Sequence, residues 1–229
     1  MRCFLYMAVG GIICYYRFKP IYAFLFHPME RAMVGHGEWK IVFTNFTQAF
    51  MVELQVSFVA GIIVTAPLLT MEAWGFLGPA LTREEKKPLR FIAPLSVVLF
   101  AAGVALAYWV SQYAIRWFVS FVPDFPNGVL YQEPKAYVLF MLKMMGIFGA
   151  VFQLPVVLAF LAWIGILKSA NMKKTWRHAI LGISVVGLII TPSNDMFSMA
   201  VMIVPVILLY LGSIWLVQFI ERRRARTHA

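Results

Sequence analysis

Lys143, Gly146, Ala150 and Gln153 stand at spacings of three, four and three, which puts an ammonium and an amide on one stripe of a helix. In an otherwise apolar stretch these groups offer hydrogen bonds where water is scarce and every polar group needs a partner. Gly149, four residues before Gln153, leaves room for a backbone or a water to approach the amide. Pro155 lacks the N–H that the Val151 carbonyl would accept, so the helix should loosen beside the amide. The plainer reading has Lys143 reaching outward to a membrane interface and Gln153 bonding a neighbouring helix as packing.

Two other clusters carry chemistry. The segment from Trp74 to Lys87 sets Trp74 and Phe76 beside Glu84 and Glu85. Ionised carboxylates only accept hydrogen bonds and can take a bidentate pair from a guanidinium. The residues therefore permit an arginine-binding site, and equally a charge-balanced turn in which Glu84 and Glu85 pair with Lys86, Lys87 or Arg90. Asp195 closes the turn Thr191-Pro192-Ser193-Asn194 between two apolar runs. It serves as a helix cap, or as a polar group drawn into the membrane: the 16 uncharged residues Ala179 to Asn194 reach only about 24 Å, short of a hydrocarbon core of roughly 30 Å. Glu53 and Gln55 open another apolar run, where solvation at the interface accounts for them.

The elements that must position these groups are membrane helices. Phe91 to Ile115 holds no acid, Lys or Arg, and similar gaps run from Leu54 to Met71, Met144 to Leu167, Ala179 to Asn194 and Met196 to Ile220. About 20 apolar residues of helix cross a bilayer, and these runs are too long and continuous for barrel strands. Cys3 to Tyr16 is a shorter candidate, which spans if Arg17 and Lys19 snorkel or if it continues through Tyr22 to Phe26. Composition agrees, with 62% hydrophobic and 13% charged residues against about 25% charged in soluble domains.

The net charge of +10 would suggest nucleic acid in a soluble chain, but its distribution reads as topology, with no nucleic acid implied. Arg2, the loops around Arg83 to Arg90 and Lys168 to Arg177, and the tail from Arg222 to Arg226 hold 13 of the 20 basic residues. The positive-inside rule puts them, and both termini, in the cytoplasm. The fold class expected is all-α: a polytopic membrane protein of six transmembrane helices. One six-helix domain fills residues 1–229, ending in a short basic tail, 221–229. Longer segments from about Lys19 to Gln48 and Arg116 to Lys135 lie on the other side.

No phosphate-binding loop, nucleophile elbow or His-Glu-x-x-His helix occurs, and His27, His36, His178 and His228 lack metal-ligand spacing. The expectation is a protein that is not an enzyme, with no metal and no cofactor. Cys3 and Cys14, 11 residues apart in one helix, are too distant to pair. The first apolar stretch lacks a cleavage site of the signal-peptide kind.

Three motifs stand in a fixed order: Trp74 to Glu85 after Ala66-Pro67, then Gly149-Ala150-Val151-Phe152-Gln153-Leu154-Pro155, then Thr191-Pro192-Ser193-Asn194-Asp195-Met196-Phe197-Ser198. In that set the chain resembles the TatC subunit of the twin-arginine protein translocase, from Arg2 to about Ile220. The resemblance implies a cup-shaped, multi-pass receptor of the cell inner membrane. Such a receptor recognises twin-arginine signal peptides and takes part in moving folded proteins across the bilayer, driven by the protonmotive force. It implies single-span TatA-type and TatB-type partners, precursor signal peptides and an oligomeric complex in the lipid bilayer. It assigns signal-peptide binding to Glu85, with Phe76 nearby, and intramembrane polar contacts to Gln153 and Asp195; the residues themselves add Glu84 to the first group and Lys143 to the second. The functional proline of the first external segment resembles Pro28.

This sequence departs from the family pattern in three places. Met1-Arg2-Cys3 begins at the last arginine of the family's His-x-x-Glu-Leu-Arg-x-Arg segment, Gln153 replaces a glutamate, and Leu211 stands where many members carry another. An amide bonds hydrogen but does not titrate. The alternative is a small-solute or ion secondary transporter with Lys143 and Gln153 along its path, which an inverted repeat would favour; Pro67 and Pro155 do not otherwise correspond.

Overall fold

The computed structural model describes residues 2–34, 39–77, 89–121, 130–190 and 196–227. Within them the order is α1 (Arg2–Tyr16), α2 (Phe18–Met33), β1 (Trp39–Ile41), α3 (Gln48–Leu77), α4 (Leu89–Val119), β2 (Leu130–Gln132), α5 (Pro134–Val151), α6 (Leu154–Trp163), α7 (Ser169–Ile190) and α8 (Met196–Thr227). Phe91 and Trp215 are 79% and 75% exposed, as apolar side chains that face lipid or a partner helix are.

Four stretches among the described residues are long and apolar enough to cross a membrane: Gln48–Phe76, Phe91–Val119, Pro134–Trp163 and Met202–Arg222. The six expected from the charge gaps thus reduce to four by length and composition, plus the 15-residue α1 and α7. Helix α7 begins at Ser169, ten residues before the apolar run, because Lys and Arg end hydrophobicity without ending a helix. The stretch after Lys19 is helical too, buries Leu25, Phe26, Pro28, Met29, Ala32 and Met33, and leads into strand β1. That strand pairs in parallel with β2, Trp39 opposite Leu130 and Ile41 opposite Gln132.

The chain packs as two compact units, Met1–Leu69 with Val104–Phe148, and Thr70–Gly103 with Gly149–Ala229. In the first, α1 meets α3 through glycines. A methyl group on Gly61 would fall 2.6 Å from the Gly11 nitrogen, and one on Gly10 would meet Thr65 and the Gly61 carbonyl. Two N-terminal ends are joined through the buried Gln48 at the start of α3. Its Oε1 accepts from the Thr44 N–H and hydroxyl at 2.7 and 2.9 Å, and its Nε2 donates to the Glu133 carboxylate just before α5.

Helix α2 in the same unit shows how Pro28 is accommodated. Proline at position 28 has no N–H for the carbonyl of Phe24, four residues back. The Tyr108 hydroxyl on α4 donates to that carbonyl at 3.2 Å, and the Tyr137 hydroxyl on α5 donates to the next one, Leu25, at 3.1 Å. Ring contacts reinforce both bonds: Phe24 stacks on Tyr108 at 4.4 Å, and Phe26 meets Tyr137 edge-on at 5.2 Å. Tyr108→Phe is expected to destabilise the protein by about 1 kcal/mol. The cost should shrink when Pro28→Ala is added, since an alanine N–H can bond Phe24 itself. Thermal melts of the four proteins decide it, and an equal cost in both backgrounds would refute the link.

In the second unit α6 and α7 both pack on α8. Ala162, Met172, Ile214 and Val217 form one buried cluster, and Trp74, Ile92, Val156 and Phe160 another. Two residues past the end of α6 stands Gly165, whose φ of 86° suits a residue without a Cβ; there the Ile166 N–H bonds back to Leu161 at 3.0 Å. Helix α7 starts on the Glu221 carboxylate, which accepts from the Ser169 N–H at 2.9 Å and from its hydroxyl. An anion at a helix N-terminus satisfies free N–H groups and the helix dipole together.

Candidate functional site

Gln153 sits at a break in a long apolar helix. Pro155 removes one donor, and α5 therefore stops at Val151 while α6 restarts at Leu154. At the break the Gln153 N–H turns to Ala150, three residues back, at 3.0 Å. The side-chain amide is half-buried, and its Nε2 donates to the Ser96 carbonyl of α4 at 2.9 Å. Its Oε1 is buried without a hydrogen-bond partner among the described residues. A buried acceptor without a donor costs about 1 to 3 kcal/mol.

One helical turn away the same two helices meet again. A methyl group on Gly149 would fall 2.7 Å from the Phe100 ring, so the space beside the amide that the sequence left open for a backbone or a water is filled by an aromatic side chain. Ser96 and Phe100 are four apart, as are Gly149 and Gln153, and the two contacts lie in register. Sequence reasoning missed Ser96, although it is a polar residue inside the uncharged run Phe91 to Ile115. The rule that singled out Gln153 applied to it equally. Ser96 is fully buried, and its hydroxyl donates to Ala93 at 2.7 Å.

Of the other residues singled out, Phe76 lies in the last turn of α3 and is 84% exposed. Two residues earlier Trp74 turns the opposite way, buried edge-on against Phe160 at 5.1 Å. That anchor fixes the helix end from which Phe76 projects. Glu84, Glu85 and Asp195 lie outside the described residues. Lys143 is exposed on α5, with no hydrogen bond or ion pair among the described residues. Pro28 is buried in α2. Pro28 and Lys143 belong to the first unit, Phe76 and Gln153 to the second.

Among the described residues no group of three or more His, Cys, Asp and Glu is placed to hold a metal ion. Cys3 is exposed and Cys14 buried, both as free thiols. What this arrangement offers is recognition: an exposed aromatic at a helix end, a half-buried amide bonded across a helix break in the apolar zone, and helices held at close range by glycine.

Comparison with known proteins bears on that reading. The family model described as Sec-independent protein translocase protein (TatC) matches residues 1–205. A TatC protein of Koribacter versatilis is 32% identical over 231 residues, covering 97% of this chain and 83% of that one. One of Carboxydothermus hydrogenoformans is 31% identical over 216 residues, covering 94% and 86%. Among solved structures, a crystal structure described as the twin-arginine translocase receptor TatC in DDM superposes with a TM-score of 0.82 at 26% identity, covering 93% of each chain.

Proposed function

The chain belongs to the TatC family of Sec-independent protein translocase proteins, and from that premise we propose that it is the receptor subunit of a twin-arginine translocation system. Likeness to the crystallised receptor along nearly the whole chain is the observation that carries this reading. The small-solute transporter alternative finds no support in the same comparisons.

The receptor crosses the cell inner membrane six times with both termini in the cytoplasm. Helices α1 and α7 supply the two spans beyond the four long apolar ones, and the bundle is cup-shaped. The distribution of basic residues supports this orientation. The loop after α3 binds the signal peptide: Glu85, helped by Glu84, accepts the guanidinium hydrogen bonds, and Phe76 supplies an apolar wall. Exposure of Phe76 beside a buried Trp74 anchor supports that division of labour. Gln153 and Asp195 give polar contacts within the membrane to TatA-type and TatB-type single-span subunits in an oligomeric complex. Lys143 sets the outer interface, and Pro28 shapes the outer helix α2. The protonmotive force drives transport, and no cofactor is needed. The direct test is capture of a twin-arginine peptide by the full chain in membranes, with a twin-lysine peptide beside it; equal capture of the two would overturn the reading.

Gln153 carries its own expected result. Gln153→Leu removes the donor to Ser96, whose carbonyl lies within helix α4, so folding should lose only about 0.6 kcal/mol and at most roughly 2. Export of a folded reporter with a twin-arginine signal should fall further than stability does, because the polar contact proposed for this position within the membrane is lost as well. Gln153→Glu should be tolerated, since its protonated form keeps a donor and an acceptor of nearly the same shape. Wild-type export by Gln153→Leu would remove this residue from the functional site.

A further inference from the structure

We propose that the groove between α7 and α8 is a binding site for one anionic glycerophospholipid, its phosphate held at the Lys173 end and an acyl chain laid along Leu211 and Ile214. The groove has a volume of about 410 Å³ and is lined by Lys173 and Trp176 of α7 and by Leu211, Ile214, Trp215 and Gln218 of α8. Its polarity follows the order of a phospholipid. Leu211 and Ile214 are apolar, Trp215 and Trp176 come next with their amphipathic indoles, and Gln218 and Lys173 are polar. Arg222 stands one turn beyond Gln218. Tryptophan prefers the level of the headgroups, where one side of its ring is apolar and its N–H is wet.

Charge selects the headgroup. Lys173, Lys174, Arg177 and Arg222 are exposed, and among the described residues none of them forms an ion pair. Arg177 lies over the Trp176 ring, 5.7 Å from its centre. The nearby acid, Glu221, is already engaged by the N–H and hydroxyl of Ser169 at the start of α7, so its charge serves that helix end. The rim is left cationic against an apolar floor, which matches a lipid phosphate and its chain. A purely apolar partner helix would have no use for the cations, and a free anion none for the floor.

Native mass spectrometry of the full chain, released from micelles doped equally with phosphatidylglycerol and phosphatidylcholine, tests this. One phosphatidylglycerol should be retained in preference to phosphatidylcholine. Lys173→Gln should lower its retention about fivefold and leave phosphatidylcholine unchanged, whereas Lys173→Arg should keep the preference. Leu211→Trp fills the apolar end and should expel the lipid with every basic residue still in place. Equal retention of the two lipids, a preference unchanged by Lys173→Gln, retention undiminished by Leu211→Trp, or displacement by inorganic phosphate alone would each overturn the proposal.

Discussion

Glu85→Lys is expected to reduce capture of a twin-arginine signal peptide by more than about tenfold, and Glu85→Ala by about tenfold or somewhat less, with the protein still folded in the membrane. A hydrogen bond from a guanidinium to a carboxylate contributes roughly 1.5 to 3 kcal/mol net, and exposure in a loop moves that toward or below the lower end. Alanine removes the acceptor. Lysine also places a like charge against the incoming arginines, so it should cost more. The contrast should narrow as salt is raised, because a Debye length of about 10 Å at 0.1 M screens exposed charges. Glu85 lies outside the described residues, and the role rests on the family resemblance and on Phe76 projecting at the start of the same loop. Crosslinking of a labelled peptide to the wild type and both variants at low salt checks it, and capture unchanged by both substitutions would rule the role out.

Replacing Gly61 should be the most damaging change to the fold. A methyl group there would fall 2.6 Å from the nitrogen of Gly11, 2.7 Å from its Cα and 2.9 Å from the carbonyl carbon of Gly10. These are backbone atoms of α1, which cannot rotate aside as a side chain does. Close approach through small residues is how helices associate in lipid, where no hydrophobic force draws them together. Gly61→Ala should therefore cost about 1 to 3 kcal/mol, and Gly61→Leu more, as α1 is pushed off α3. Gly11 provides the control, since a methyl group on it meets nothing within 4 Å; Gly11→Ala should melt close to the wild type. A Gly61→Ala protein as stable as Gly11→Ala in detergent melts would contradict the contact.

Several features of this protein were determined by sequence alone because they depend on quantities summed along the chain. Hydrophobic length is such a quantity, and it marked α3, α4, the α5–α6 pair and α8 as membrane helices. Charge bias is another, and it led to the proposed orientation. The break at Gln153 was also legible, since a missing N–H at Pro155 acts on a carbonyl only four residues away. Family membership was legible through ordered motifs, each weak alone.

Tertiary structure decided what depends on residues distant in sequence. Nothing local to Pro28 says that Tyr108 and Tyr137, on two other helices, will supply donors to the carbonyls of Phe24 and Leu25. The pairing of β1 with β2 joins three-residue strands some 90 positions apart, too short for any alternation to register. The partner of Gln153 was undetermined for the same reason: an amide inside an apolar run must bond something, and only packing of α4 against the break selects the Ser96 carbonyl. Sequence states which polar groups a membrane makes costly, and the three-dimensional arrangement of the helices states how each is satisfied.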